Sequence, residues 1–388
     1  MKITVYNVLK FSILLCFLQS MYAWFLWESE RLVLLLTIGI TIVYSIIDIS
    51  SLKFKKSNII PIILLMVVEL YTRRGMNFNS VVLTMLIVIF LSIIISFNDK
   101  IKIDLLQFFT KAFAYFLTLS LVAWILFLLG LSLPHYTTDF NDNHYIFENH
   151  YFFLFDITSG ELLPRFSSIF LEPGQLGMIT TFLICANKFD LKNKSVLIIF
   201  IATLFTLSLA AYIMLITAVS IYMMIDSKKP IRNIMLGVLF ITIFFVFFST
   251  FNGGDNVINN LLFSRLKVED GNIAGNNRFT KDLDILYDQI MNTSDSLWGI
   301  GLTEYENNSS AQGAGYKVFI IQHGLVCTLL VFLFYFFIVM GNISKMAWIL
   351  FITYILCFLQ AAYPLWICEL LLFITAIPTL KQNIHKKI

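Results

Sequence analysis

Apolar residues fall along this chain in long blocks separated by short polar or basic segments. A helix needs about 20 apolar residues to cross a bilayer. Blocks of that order lie near 8–26, 32–49, 58–72, 80–97, 112–133, 170–187, 195–209, 211–226, 233–251, 316–341, 346–361 and 364–380. They predict an all-α polytopic integral membrane protein of about 12 transmembrane helices. The third block is short and the pair around "LFTLSLAAYIML" has almost no connecting loop, so the count lies between 10 and 12. The N-terminal block follows a basic start but shows no small-residue cleavage site, which makes it a retained first helix. Only 134–169 and 252–315 break the pattern as long polar segments, and a polar loop of that size in a membrane protein is either functional or disordered. No internal repeat is visible, so the chain reads as a single transmembrane domain, 1–388.

Composition agrees with the pattern. The 388 residues are 59% hydrophobic and 13% charged, against roughly 25% charged in soluble domains. The net charge of +3 is too small to suggest a nucleic-acid partner. All 5 cysteines lie inside apolar blocks and read as small core residues, not as a disulfide framework or a zinc site. Lys and Arg set the orientation. With the N-terminus cytoplasmic, 18 of them fall on the inner side and 9 on the outer. Both termini are therefore expected inside, and both long segments outside. Arg73 and Arg74 in "YTRRG" resist this rule, and an ion pair from Arg73 back to Glu69 is the structural reading.

The first outer segment is rich in Tyr, Phe and His. Such rings either stack on sugar faces or gather at the membrane interface. His135, His144 and His150 lack metal-site spacing, and Asp139, Asp142 and Glu148 add no ligand box, so no metal is expected. In the second segment, Phe279, Leu283, Leu286 and Ile290 recur at helical spacing and predict an amphipathic helix after Arg278. A Gly-flexed turn, "LWGIGLTEY", follows. Asp282 and Asp284 form a D-x-D that reads as the solvated face of this helix.

Arg165 and Arg278 each border a patterned segment. An arginine keeps its charge and matches phosphate with a planar fork of donors, so each is a candidate phosphate anchor or else an interfacial arginine reaching for headgroups. Arg265, in "NNLLFSRLKVEDG", has no such setting, and headgroup contact is its first reading. Glu172 precedes Pro173 at the start of an apolar block, where it is a helix-dipole partner, an ion pair for Arg165 or a general base. His323, in "IIQHGL", is a packing histidine or a second candidate base. Glu369, near the outer end of the last block, must face protein or water.

The block count, the two outer segments, "RFSSIFLEPGQLG", and the order of Arg278, helix, "WGIGLTEY" and "VFIIQHGLV" together resemble the O-antigen polymerase (Wzy) family. That family belongs to a superfamily shared with O-antigen ligases. The resemblance implies a GT-C-like glycosyltransferase of the bacterial inner membrane. It would move a growing glycan from undecaprenyl pyrophosphate onto the non-reducing end of another lipid-linked repeat unit at the periplasmic face. Donor and acceptor oligosaccharides and membrane lipids are the implied partners, with a chain-length regulator as an open option. No cofactor and no metal are implied. Catalysis would fall to Arg165, Arg278 and Glu172, and substrate contacts to Arg265, Trp298, Tyr305, Tyr316, Lys317 and His323. The ligase branch carries a histidine upstream of the glycine matching Gly324, and "QGAGYKV" has none here. That departure favours polymerase over ligase. A repeat-unit flippase is the alternative from another class, although flippases lack long outer loops and show internal repeats.

Overall fold

The computed structural model describes residues 4–140, 145–157, 165–226, 229–256, 259, 268–269, 272–273, 280–307, 313–361 and 363–381. In chain order the helices are α1 (Val5–Ser20), α2 (Glu30–Ile47), α3 (Ile59–Thr72), α4 (Phe78–Ser96) and α5 (Asp99–Leu128). Three strands follow, β1 (Tyr136–Phe140), β2 (Tyr145–Asn149) and β3 (Leu154–Asp156). Next come α6 (Pro173–Ala186), α7 (Lys194–Phe205), α8 (Leu209–Asp226) and α9 (Pro230–Thr250), then β4 (Val268–Glu269) and β5 (Asn272–Ile273). The chain closes with α10 (Lys281–Met291), α11 (Asp295–Trp298), α12 (Leu302–Glu306), α13 (Tyr316–Met340), α14 (Lys345–Gln360) and α15 (Ile367–Lys381).

Each of the twelve apolar blocks is a helix. Among the described residues, four segments, Trp24–Ile47, Phe78–Ser96, Asp99–Leu128 and Tyr316–Met340, are long and apolar enough to cross a membrane, and shorter apolar stretches such as Val5–Ser20, Pro173–Ala186 and Lys345–Gln360 accompany them. Leu32, Leu35, Leu36, Val43 and Ile46 of α2 stand exposed along one helical stripe, the kind of surface that lipid covers and water does not tolerate. These features give the chain the character of a membrane protein.

Local chemistry sets several helix starts. Asn77 accepts from the Ser80 amide and Ser344 from the Ala347 amide, both at 3.0 Å. Pro173 and Pro230 sit in the first helical turn, where a missing amide hydrogen costs nothing. The helix expected to begin near 112 begins at Asp99, because Asn98 Oδ1 takes the Ile101 amide at 3.0 Å. Its charged first turns are held from outside: Lys55 Nζ lies 2.9 Å from Asp99 and Lys10 Nζ 3.1 Å from Asp104.

The contacts divide into two compact units. One comprises Met1–Ser20, Ser29–Phe108 and Asn277–Ile388, the other Met21–Glu28 and Phe109–Asn276. In the first, α3 and α10 pack on α13, and α1 packs on α2 and α15. Glu369 of α15 is 2% exposed and faces protein. In the second, α6 packs on α7 and α8, and Gly177 makes that approach possible, since a Cβ there would stand 2.6 Å from Ala211 Cβ. All five cysteines are buried and unpaired with one another.

The described residues are mostly helical, consistent with the all-α expectation, and short strands are added to the helices. β1, β2 and β3 form an antiparallel sheet in chain order, and β4 pairs with β5. The first sheet is built from Tyr, Thr, Phe and Ile, residues that fit a pleated, half-buried surface. Its inner face buries Phe147 and Leu154 with Leu171, against Tyr22, Trp24, Trp27 and Phe140.

Candidate functional site

In the first unit the site is built around a break in α13. Gly324 has φ 76° and ψ 173°, so the helix cannot run straight through it. In a regular helix the carbonyls of Ile321 and Gln322 would accept from Leu325 and Val326. Here they accept from the segment after α11: Ile300 N donates to Ile321 O at 2.9 Å and Gly301 N to Gln322 O at 3.0 Å. Two glycines allow the contact. A Cβ on Gly299 would lie 2.5 Å from His323 N, and one on Gly324 would lie 2.3 Å from Leu297 O. The Gly-x-Gly of "LWGIGLTEY" therefore seats backbone against backbone on α13.

Arg74 secures the seat. Its Nη2 donates to Gly299 O at 2.6 Å and reaches Gln322 O at 3.4 Å, while Nη1 bonds the Tyr71 hydroxyl. The guanidinium also lies 4.6 Å from the Tyr71 ring centroid, and Tyr71 donates to Trp298 O at 2.6 Å. The sequence marks Arg74 only as one of a pair of arginines on the side where positive charge is disfavoured, and it gives no signal for Tyr71. Arg73 bonds Met76 Sδ at 3.8 Å in place of the expected ion pair with Glu69. His323 is buried, edge-on to Phe319 at 4.7 Å, and within electrostatic reach of both arginines. Its environment fits the packing reading better than that of a base exchanging protons with a sugar.

The amphipathic helix is present as α10. Leu283 and Ile290 are buried with Val318 and Ile321, and Leu286, Tyr287, Ile300 and Tyr305 pack on them. Phe279, Arg278 and Arg265 lie outside the described residues. Trp298 is 53% exposed. Tyr305 and Tyr316 are partly buried, and burial raises the pKa of the Tyr305 hydroxyl, which stays a neutral donor. Lys317 Nζ is committed to Asp284 at 2.7 Å and lies 5.1 Å from the Tyr287 ring centroid. Asp284 therefore braces α10 on α13 while its side chain stays 45% exposed, so it and the exposed Asp282 both keep to the solvated face as expected.

In the second unit "RFSSIFLEPGQLG" is sewn to the sheet. Leu154 N donates to Ser168 O at 2.9 Å and Ser167 Oγ to Leu154 O at 2.7 Å. Ser168, in the left-handed region at φ 55°, turns its Oγ to Ser120 Oγ at 2.7 Å. Arg165 opens this segment half-buried, beside the fully buried Phe166. Glu172 is the N-cap residue of α6, exposed, with Pro173 next in the helix. A carboxylate there complements the helix dipole. Among the described residues, His135, Glu148 and His150 are the group with metal-ligand proximity.

Comparison with protein-family models, curated proteins and solved structures finds no match.

Proposed function

We propose that this chain is a polymerase of lipid-linked oligosaccharide repeat units, of the O-antigen polymerase kind. On this reading it is a GT-C-like protein of about 12 spans in a bacterial inner membrane, with cytoplasmic termini and 134–169 and 252–315 in the periplasm. The growing glycan leaves undecaprenyl pyrophosphate for a non-reducing-end hydroxyl of a second unit. Charge develops on the leaving pyrophosphate, and guanidinium groups held in advance stabilise it. Arg165 and Arg278 take that role. Glu172 accepts the proton of the attacking hydroxyl.

One observation carries the reading. The segments on which the resemblance rests are anchored by backbone contacts: "LWGIGLTEY" on the Gly324 break, and "RFSSIFLEPGQLG" on β3. Outer segments held that firmly suit preorganised electrostatics, which a mobile linker does not supply. Arg74 acts as a positioning residue for the first of them.

The test is the lipopolysaccharide ladder of a deletion strain complemented in trans. The deletion alone is expected to leave single-unit-capped lipopolysaccharide. Arg165→Ala and Arg278→Ala, expressed at wild-type levels, are expected to lose long chains. Full-length ladders from both variants would end the phosphate-anchor assignment. Loss of periplasmic repeat units in the deletion strain would mark a flippase instead.

A further inference from the structure

One group of polar side chains has no part in that reaction. His135 immediately precedes β1 and His150 immediately follows β2. Pairing sets Tyr136 against Asn149, which brings the two histidines opposite each other at the open end of the hairpin. Glu148, two residues before His150, shares its face of the strand. His135 Nε2 lies 3.4 Å from Glu148 Oε1, His150 Nε2 lies 3.2 Å from the same oxygen, and the three ligand atoms are within 4.8 Å of one another.

The hydrogen bonding around this group leaves a gap at its centre. His135 Nδ1 lies 3.1 Å from Leu133 O. A carbonyl only accepts, so Nδ1 donates to it, and in the neutral tautomer Nε2 turns a lone pair toward the Glu148 carboxylate. Those two acceptors, 3.4 Å apart, need a cation between them, a metal ion or a proton. The His150 side chain is 1% exposed, and its ring stacks on Phe153 at 4.5 Å and 11°. Its Nδ1 has no hydrogen-bond partner among the described residues, and its Nε2 meets only the Glu148 carboxylate, at 3.2 Å. A buried polar group left that way costs about 1–3 kcal/mol. The surrounding backbone, by contrast, is well bonded. Asn149 accepts from the Tyr151 amide and donates to Tyr136 Oη, both at 2.8 Å, and His150 N donates to Phe153 O at 3.0 Å.

We infer that His135, Glu148 and His150 form a binding site for a divalent transition-metal ion of the zinc class. Ligands about 2.0–2.1 Å from a tetrahedral zinc stand roughly 3.3 Å from one another, and the two histidine–carboxylate pairs here stand 3.2 and 3.4 Å apart, with the two histidine nitrogens within 4.8 Å. Two imidazoles with one carboxylate favour zinc over magnesium or calcium, which take oxygen shells. Leu133 O supplies the outer bond that fixes the His135 tautomer. His135 is 51% exposed, so the fourth position opens to water. The ion ties the two strand ends of the hairpin together. This role is separate from glycosyl transfer, and it departs from the metal-free expectation because H-x12-E-x-H resembles no ligand motif until the strand register is known.

The experiment uses the full-length chain in detergent, stripped with chelator and titrated calorimetrically with Zn²⁺, with Co²⁺ absorption as a second readout. The wild type is expected to bind one equivalent and to give the intense visible bands of tetrahedral cobalt. His135→Ala and Glu148→Gln are expected to weaken binding at least about 100-fold, since even outer-shell losses cost 10–100-fold. His135 is half-exposed and Glu148→Gln preserves shape, so both variants should keep the wild-type size-exclusion profile, which is checked. A wild type that takes up no Zn²⁺, as a proton shared by His135 and Glu148 would produce, overturns the assignment. So do two folded variants that bind as tightly as the wild type.

Discussion

Gly324→Ala probes the break in α13 directly. At φ 76° and ψ 173° the residue occupies a region essentially reserved for glycine, which costs another residue about 1–3 kcal/mol. The new Cβ would stand 2.3 Å from Leu297 O, so the docked segment must also lift. Lifting breaks the Ile300 to Ile321 and Gly301 to Gln322 bonds in wild type and variant alike, so only the strain and the clash, itself worth about 1–3 kcal/mol, change the balance. Together these favour undocking by about 2–6 kcal/mol, or roughly one and a half to four orders of magnitude in opening equilibrium. Amide hydrogen exchange of Ile300 and Gly301 in the detergent-solubilised chain reads that equilibrium. Gly301→Ala is the control. Its φ of 92° imposes strain, but no atom lies within 4 Å of the built Cβ. It should therefore speed exchange by only about one to two orders. Equal acceleration in the two variants would refute the argument that close backbone approach, and not φ strain alone, requires glycine at 324.

Other perturbations isolate single contacts. Arg74→Lys removes the fork that reaches both Gly299 O and Gln322 O, and should speed the same exchange by about tenfold or more while global melting moves little. A double-mutant cycle of Asp284→Asn and Lys317→Met should give a coupling of about 0.2–1 kcal/mol by thermal unfolding, because the pair is partly exposed; a value several times larger would mean water does not reach it. Gly177→Ala should destabilise by about 1–3 kcal/mol, since its Cβ would meet Ala211 Cβ at 2.6 Å. Adding Ala211→Gly should recover much of that loss in melting temperature.

What the sequence reveals and what it hides follow from range. Helix positions depend on local hydrophobic length and period, and the Leu283, Leu286, Ile290 stripe is legible because its spacing alone defines a face. The β1 to β3 sheet is not, because aromatic residues on both faces hide the alternation that marks a strand. Arg74 escapes for a different reason: its acceptors lie 225 and 248 residues away in the chain, so only the folded arrangement gives it a task. The histidines show the same limit on a smaller scale, since 135 and 150 become neighbours only once Tyr136 faces Asn149. Of the expected phosphate anchors, Arg165 has a defined setting on the sheet-bound segment, while Arg278 lies outside the described residues.

The carbonyls of Ile321 and Gln322 have two claimants, the amides of Ile300 and Gly301 and those of the next helical turn. Whichever wins, the count of satisfied groups is nearly conserved, as an apolar environment demands. Docking at this site is thus an exchange reaction rather than a simple gain of bonds. The two carbonyls are free for the docked segment only because the break at Gly324 takes them from their own helix. Gly324 is the residue whose backbone accepts both outcomes, and Arg74 supplies the bias toward the docked one.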